Sequence, residues 1–246
     1  MSRRSDPVAR LARRLRLHQR VFDPALEPRN RLRWLGPLQA WQAQRLERSF
    51  EAFLQDPARR PAARFFLTDV YGDHDFSQRD ADIARVLPMM QRLLPAPLLD
   101  TIAGGIALAA LTHALDLRMA EALQALSPRP RALDAALYAK AYRRVGHARA
   151  RSRQIGLIRE VGAGLAAALR MPGVGGLLRL SRVPARAAGL GELQSFLERG
   201  FAAFAGLGDA GAFLAAIEHS ERQVMERLFA GEPDPFGWRG QGAHGP

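Results

Sequence analysis

Thr101-Ile102-Ala103-Gly104-Gly105-Ile106-Ala107-Leu108-Ala109-Ala110-Leu111-Thr112-His113-Ala114-Leu115 is a run of fifteen positions without a formally charged side chain. A membrane-spanning helix needs about 20 such residues, so the run is too short for one. It reads as part of a helix that is apolar nearly all round, the pattern of a helix enclosed by other helices. Pro95 and Pro97 bracket its start and Ser127-Pro128-Arg129-Pro130 turns the chain after it. The expectation is a central buried helix near residues 98–126. Gly104 and Gly105 either let a neighbouring helix approach closely or line an apolar pocket.

Outward from this helix the pattern stays helical. Val8, Leu11, Leu15 and Phe22 fall on one face of an arginine-rich N-terminal segment, with Asp6-Pro7 as its start. Pro24, Pro28, Gly36 and Pro37 make residues 23–37 a connector. A helix is expected from Leu38 to Gln55, ended by Asp56-Pro57, and Pro61 starts the next. Beyond the central helix, Leu133, Leu137, Ala141 and Val145 form a stripe that ends at Gly146. Ile155, Ile158, Val161, Leu165 and Leu169 form another, broken at Met171-Pro172-Gly173. Leu177, Leu178, Leu180 and Val183 make a short basic amphipathic piece, read as a buried linker helix or as a membrane-surface or moving element. Leu190, Leu193, Leu197, Phe201 and Phe204, then Phe213, Ile217, Val224 and Leu228, mark the last two helices, with Asp209 as N-cap between them. No period-2 run of useful length appears. The fold class is all-α: a single multi-helix bundle of about 8–10 helices. Residues 1–37 form a basic N-terminal helix and connector, 38–231 the bundle, and 232–246 a Pro/Gly-rich tail, loose except where Phe236 and Trp238 dock.

Charge is distributed in blocks. The chain carries 36 basic and 24 acidic residues. Residues 1–64 hold 15 arginines against 6 acids, and residues 129–186 hold 13 basic residues against 2 acids. Residues 65–128 and 187–246 each hold 4 arginines against 8 acids. Basic helices lying on acidic ones would explain the alternation; a basic face left for nucleic acid or an anionic membrane surface is the other reading. Arg143, Arg144, Arg149, Arg151 and Arg153 crowd one junction and read as a solvated face or as a dock for the acidic segments. The aromatic interleaving of a single-strand binder is absent there. Arginines interrupt every apolar run near the N-terminus, so no secretory core is expected and a cytoplasmic location is.

The chemistry excluded is broad. The chain has no cysteine, which removes disulfides, thiolate catalysis and cysteine-based zinc sites. No Walker A motif, nucleophile elbow or His-Glu-x-x-His is present. Gly206-Leu207-Gly208-Asp209-Ala210-Gly211 matches G-x-G-x-x-G in letters only, because no strand precedes it. No catalytic, metal-ligating or cofactor-binding set is assigned.

The densest local pattern is Phe65 to Asp82, FFLTDVYGDHDFSQRDAD. Phe65, Phe66 and Val70 suit one face of a short helix ended by Tyr71-Gly72. Ser77 and Asp80 have the spacing of a capping box. Ile83, Val86, Leu87, Met90 and Leu94 continue as a stripe that Pro88 should kink. The run FF-x-x-D-x-YG-x-x-DF-x-x-RD resembles the signature of an uncharacterised bacterial all-helical domain family of about this length. Leu193 to Phe204 resembles that family's second block. The resemblance implies an all-helical fold and bacterial origin, and carries no catalytic residue.

Two constellations are candidate sites. Tyr71, Asp75, Arg79 and Asp80 crowd a corner between helices, where they serve as caps or converge on a ligand or partner. His113 and Asp116 stand three apart on the central helix, where an acid–histidine pair is either a structural contact or a general base. The leading reading is a non-enzymatic domain that binds a protein partner or small ligand through the Tyr71–Asp80 corner. Homo-oligomerisation is compatible with it. An enzyme or cofactor-binding bundle would use His113 and Asp116 beside a cavity at Gly104 and Gly105. An anion-surface binder would use residues 3–20 and 143–153.

Overall fold

The computed structural model describes residues 7–70, 96–130, 132–187 and 191–238. Among these residues there are eleven α-helices and no strand. They are α1 (Pro7–Phe22), α2 (Leu35–Ser49), α3 (Glu51–Gln55), α4 (Arg60–Phe65), α5 (Ala96–Leu126), α6 (Ala135–Val145), α7 (Ala148–Leu169), α8 (Val174–Leu180), α9 (Arg182–Ala187), α10 (Gly191–Ala205) and α11 (Ala210–Ala230). A 3-10 turn spans Pro28–Arg31 and a π-helical turn spans Phe66–Val70. The count exceeds the expected range because α3, α4, α8 and α9 are each shorter than eight residues. The kink expected at Pro88 lies outside the described residues.

α5 is the axis. It runs 31 residues, and no residue from Leu98 to Leu117 is exposed. α1, α2, α6 and α7 all pack on it. The uncharged run is therefore only the middle of a longer helix. By length and composition α5 is long enough and apolar enough to cross a membrane, and two bent helix pairs pass the same test. In this fold 39% of its apolar stretch is buried against the rest of the described chain. Gly104 takes no cavity beside it: a Cβ there would meet Val161 of α7 at 3.1 Å. The glycine lets α7 lie close.

Punctuation in the sequence acts as expected at several ends. Asp209 caps α11 by accepting from the Ala212 amide at 2.8 Å; Asp134, not singled out in the sequence, caps α6 in the same way, accepting from the Leu137 amide at 2.7 Å. Gly146 ends α6 at φ +66, and His147 also has positive φ before α7 begins. The segment expected as one helix from Leu38 to Gln55 is instead two. It starts at Leu35 and breaks at Phe50 (φ −98, ψ 7). The break lets both Phe50 and Phe53 enter the core, packed edge-on at 5.7 Å, with Phe53 reaching Phe213 at 5.1 Å. Residues 177–183 do not form a buried linker: Leu180 is 80% and Val183 75% exposed.

The core is divided into two apolar clusters. One gathers Trp34 and Leu38 of α2, Leu117 to Leu123 of α5, Tyr138 and Tyr142 of α6, Leu228 of α11, and Phe236. The other gathers Leu46 of α2, Phe50, Phe65, Phe66, Leu108 of α5, Leu157 and Ile158 of α7, Phe204, and Phe213 and Ile217 of α11. α2, α5, α7 and α11 contribute to both clusters. On α2, α5 and α11, polar residues fall between the two sets: Gln42 and Arg45, then Thr112, His113 and Asp116, and Glu218 to Arg222. Burying large aromatic and aliphatic side chains contributes roughly 1.5–3 kcal/mol apiece, so the two clusters hold the fold.

The segment after α11 joins the first cluster. Phe236 is buried, stacks on Trp238 at 4.7 Å, and meets Trp41 edge-on at 5.6 Å. These two rings hold residues 232–238, expected loose apart from them, against α2.

Candidate functional site

His113 holds the N-terminal segment. Leu11, Leu15 and His18 of α1 are buried against the bundle. The His18 ring stacks on Phe22 at 4.3 Å, and Phe22 stacks on His113 at 3.9 Å. His113 Nε2 lies 2.6 Å from Asn30 Oδ1. Asn30 Nδ2 in turn donates to the carbonyls of Val21 and Glu27, each at 2.9 Å. Glu27 holds the turn from the other side through Arg29 Nε and Nη2 at 2.8 and 2.7 Å. Burial lowers the His113 pKa to about 4, so the ring is neutral at ordinary pH. A hydrogen bond from Nε2–H to the Asn30 carbonyl oxygen fits that state.

His113 and Asp116 face different partners. Asp116 Oδ1 accepts from Gln42 Nε2 of α2 at 3.1 Å. Its carboxyl is enclosed, and desolvation raises its pKa to about 6, against the opposing pull of Arg151 and the Gln42 hydrogen bond. The expected acid–histidine pair is thus replaced by two separate contacts, one to the connector and one to α2.

Asp116 belongs to a polar layer between the apolar clusters. Gln154 of α7 donates to Thr112 Oγ1 at 2.8 Å and accepts from Arg151 Nη1 at 3.3 Å. Arg45 of α2 and Glu221 of α11 form a two-pronged ion pair with both side chains largely buried. Arg222 donates to Ser152 at 3.0 Å and to Glu218 at 2.7 Å. Arg151 is 4% exposed, with its guanidinium carbon 4.7 Å from the centre of the Tyr142 ring. Desolvation pushes the Tyr142 hydroxyl well above its usual pKa, so it stays a neutral phenol. Sequence reasoning placed Arg151 on a solvated face or a dock for the acidic segments, and did not single it out as buried. The missed signal is spacing: Arg151, Ile155 and Ile158 fall at i, i+4 and i+7, so the apolar stripe of α7 extends backward onto an arginine.

The second candidate constellation begins at Phe65. Tyr71, Asp75, Arg79 and Asp80 lie outside the described residues. The chain leading into them is described. Phe65 packs on Phe196 at 5.4 Å and Phe204 at 6.4 Å, and Phe66 on Phe204 at 5.9 Å. Gly200 sits under the Phe65 ring, where an added Cβ would come within 2.9 Å of Cζ. Asp69 is 9% exposed, accepts from Arg199 Nε at 2.7 Å, and bonds Thr68 Oγ1 at 2.9 Å. So the Phe-Phe-x-x-Asp run and the Leu193–Phe204 block meet along α10. The turn that carries Asp69 is π-helical, a geometry that recurs at functional sites.

A further concavity of about 220 Å³ lies between α7, α10 and the start of α11, walled by Leu169, Phe201, Phe204 and Leu207 with Arg170 at its rim. Among the described residues, no three His, Asp or Glu side chains stand close enough together to share a metal ion.

Several ion pairs join one charge block to another. Arg10 meets Asp100 at 3.2 Å, Arg159 meets Glu218 at 3.2 Å, and Arg182 meets Glu198 at 2.8 Å. Together with Arg45–Glu221, these contacts join basic segments to acidic ones.

A family profile described as a domain of unknown function (DUF8198) matches residues 21–235. No curated protein and no solved structure matches the chain.

Proposed function

Since the chain belongs to the DUF8198 family, whose domain carries no assigned activity, we propose that it is a non-enzymatic cytoplasmic helical domain that binds a protein partner through the Tyr71–Asp80 corner. The observation that carries this reading is the Asp69–Arg199 contact at the root of the corner. It ties the chain entering Tyr71 to α10, and Phe65 and Phe66 anchor the same turn in the core. A loop held on rigid helices is where recognition residues are best positioned. His113 and Asp116 do not compete for the role, because each is committed to a partner inside the fold.

The test is native mass spectrometry of the protein purified from its own host, comparing the wild type with Asp75→Ala and Arg79→Ala. The reading expects a bound protein that both variants lose while their melting temperatures stay within about 2 °C of wild type. An unchanged set of bound proteins in both variants overturns it.

A second reading has its own observation. Arg13, Arg16, Leu17 and Arg20 share one exposed face of α1, with Leu17 57% exposed. A basic face with an apolar residue at its centre suits an anionic surface. Retention on heparin that does not fall with salt removes this reading.

A further inference from the structure

α8 and α9 turn apolar side chains outward. Pro172-Gly173 breaks the chain after α7, with Gly173 at φ +85, and α8 leaves at 90° to α7. Both short helices pack on α10. Gly175 permits the close approach, because an added Cβ would lie 2.8 Å from the Phe201 ring. Polar groups tie the inner side down. Buried Gln194 of α10 donates to the Leu178 carbonyl at 2.7 Å and accepts from Ser181 Oγ at 3.2 Å. Arg182 holds Glu198 through Nε and Nη2 at 2.8 and 2.9 Å. Leu180 and Val183 face away from these contacts, more exposed than any other large apolar side chain among the described residues. Arg179 and Arg186 are exposed beside them in sequence, and neither makes an ion pair among the described residues. No acid occurs between Glu160 and Glu192.

We propose that the outer edge of α8 and α9 seats on the surface of an anionic lipid bilayer, with Leu180 and Val183 entering the boundary between headgroups and acyl chains and Arg179, Arg182 and Arg186 lying among the lipid phosphates. An interfacial element of this kind buries its apolar side chains in that boundary and keeps its cationic groups at the headgroups. Other occupants match the edge less well. A second copy would bring the same arginines against their own kind. Two apolar side chains fall far short of the roughly 800 Å² that each partner gives to a standard protein interface. A nucleic-acid backbone would take the arginines and leave Leu180 and Val183 in water. Each arginine near an anionic bilayer strengthens binding about fivefold, so the contact is reversible and depends on acidic lipid. The proposal rests neither on the Tyr71–Asp80 corner nor on the basic face of α1.

The test is cosedimentation of the full chain with vesicles of phosphatidylcholine alone and of phosphatidylcholine with about 30% phosphatidylserine, at about 0.1 M salt. Wild type should bind the phosphatidylserine vesicles and not the neutral ones. Leu180→Ser with Val183→Ser keeps the charge and should weaken that binding about tenfold. Arg179→Gln with Arg186→Gln should weaken it by a similar factor. All four side chains are exposed, so both double variants should melt within about 2 °C of wild type; if one pair fails to fold, the other decides. Wild-type protein that ignores the vesicles, or binds neutral ones equally well, overturns the proposal. A serine pair that binds as wild type does also overturns it, leaving α1 as the basic surface. Dimerisation without vesicle binding, abolished by the serine pair, overturns it in favour of a second copy.

Discussion

Arg199 reaches Asp69 across 130 residues of sequence, with Nε 2.7 Å and Nη2 2.6 Å from the same carboxylate oxygen. The contact fixes the π-helical turn to α10 at the point where the chain enters the candidate corner. Arg199 is half-exposed, so solvent screens the pair and its contribution to stability is modest. Arg199→Ala should lower stability by about 1 kcal/mol, read as a shift in the urea midpoint.

The pH dependence of stability carries two opposing slopes. His113 has its pKa lowered to about 4 by burial, so its contribution is complete above the unfolded value of about 6.5 and is lost as pH falls toward 4. Asp116 is raised to about 6, so its folded form is favoured below about 4 and penalised as pH rises through 6. The two nearly cancel between about pH 4 and 6. Asp116→Asn should be more stable than wild type at pH 7.5 by about 1–3 kcal/mol and should expose the His113 slope. His113→Gln should expose the opposite slope. Urea titrations at pH 4.5, 6 and 7.5 measure both.

Two glycines of α7 should respond oppositely to the same change. A Cβ on Gly156 meets nothing within 4 Å. Gly156→Ala should therefore gain about 0.5–1 kcal/mol from helix propensity and reduced unfolded-state entropy. Gly162 is buried, and its Cβ would collide with the Leu214 side chain of α11. Gly162→Ala should lose about 1–3 kcal/mol through overpacking. Thermal melts of the two variants side by side check the packing of α7 on α11.

The Arg45–Glu221 pair sits between the apolar clusters with both side chains largely buried. Removing Arg45 strands the largely buried Glu221 carboxylate, so Arg45→Ala should cost about 3–5 kcal/mol. Replacing both, as Arg45→Met with Glu221→Leu, should recover most of the loss. A double-mutant cycle by chemical denaturation measures the coupling.

The axis of the fold was legible as a helix because an uncharged run is bracketed by prolines, but its full length, and with it the length to cross a membrane, was not. The cap at Asp209 and the stop at Gly146 were legible from local residue type. Phe50 was not, because its break answers to Phe53 and Phe213 rather than to any local breaker. Arg151 was misplaced by its neighbours: four nearby arginines suggested a solvated face, while its own register pointed inward. The Asp69–Arg199 contact has no local signature, since its halves lie in separate segments that only the packing of Phe65 on α10 brings together. His113 and Asp116 were singled out by their spacing, but spacing along one helix does not say which neighbouring segment each side chain will meet.

The central claim is that the Asp69–Arg199 contact positions a partner-binding corner. Charge reversal tests it most directly, using Asp69→Arg, Arg199→Asp and the double swap, with bound protein from the native host measured by mass spectrometry. The account predicts that each single reversal loses the partner and the double swap regains it. Equal retention by all three proteins would contradict it.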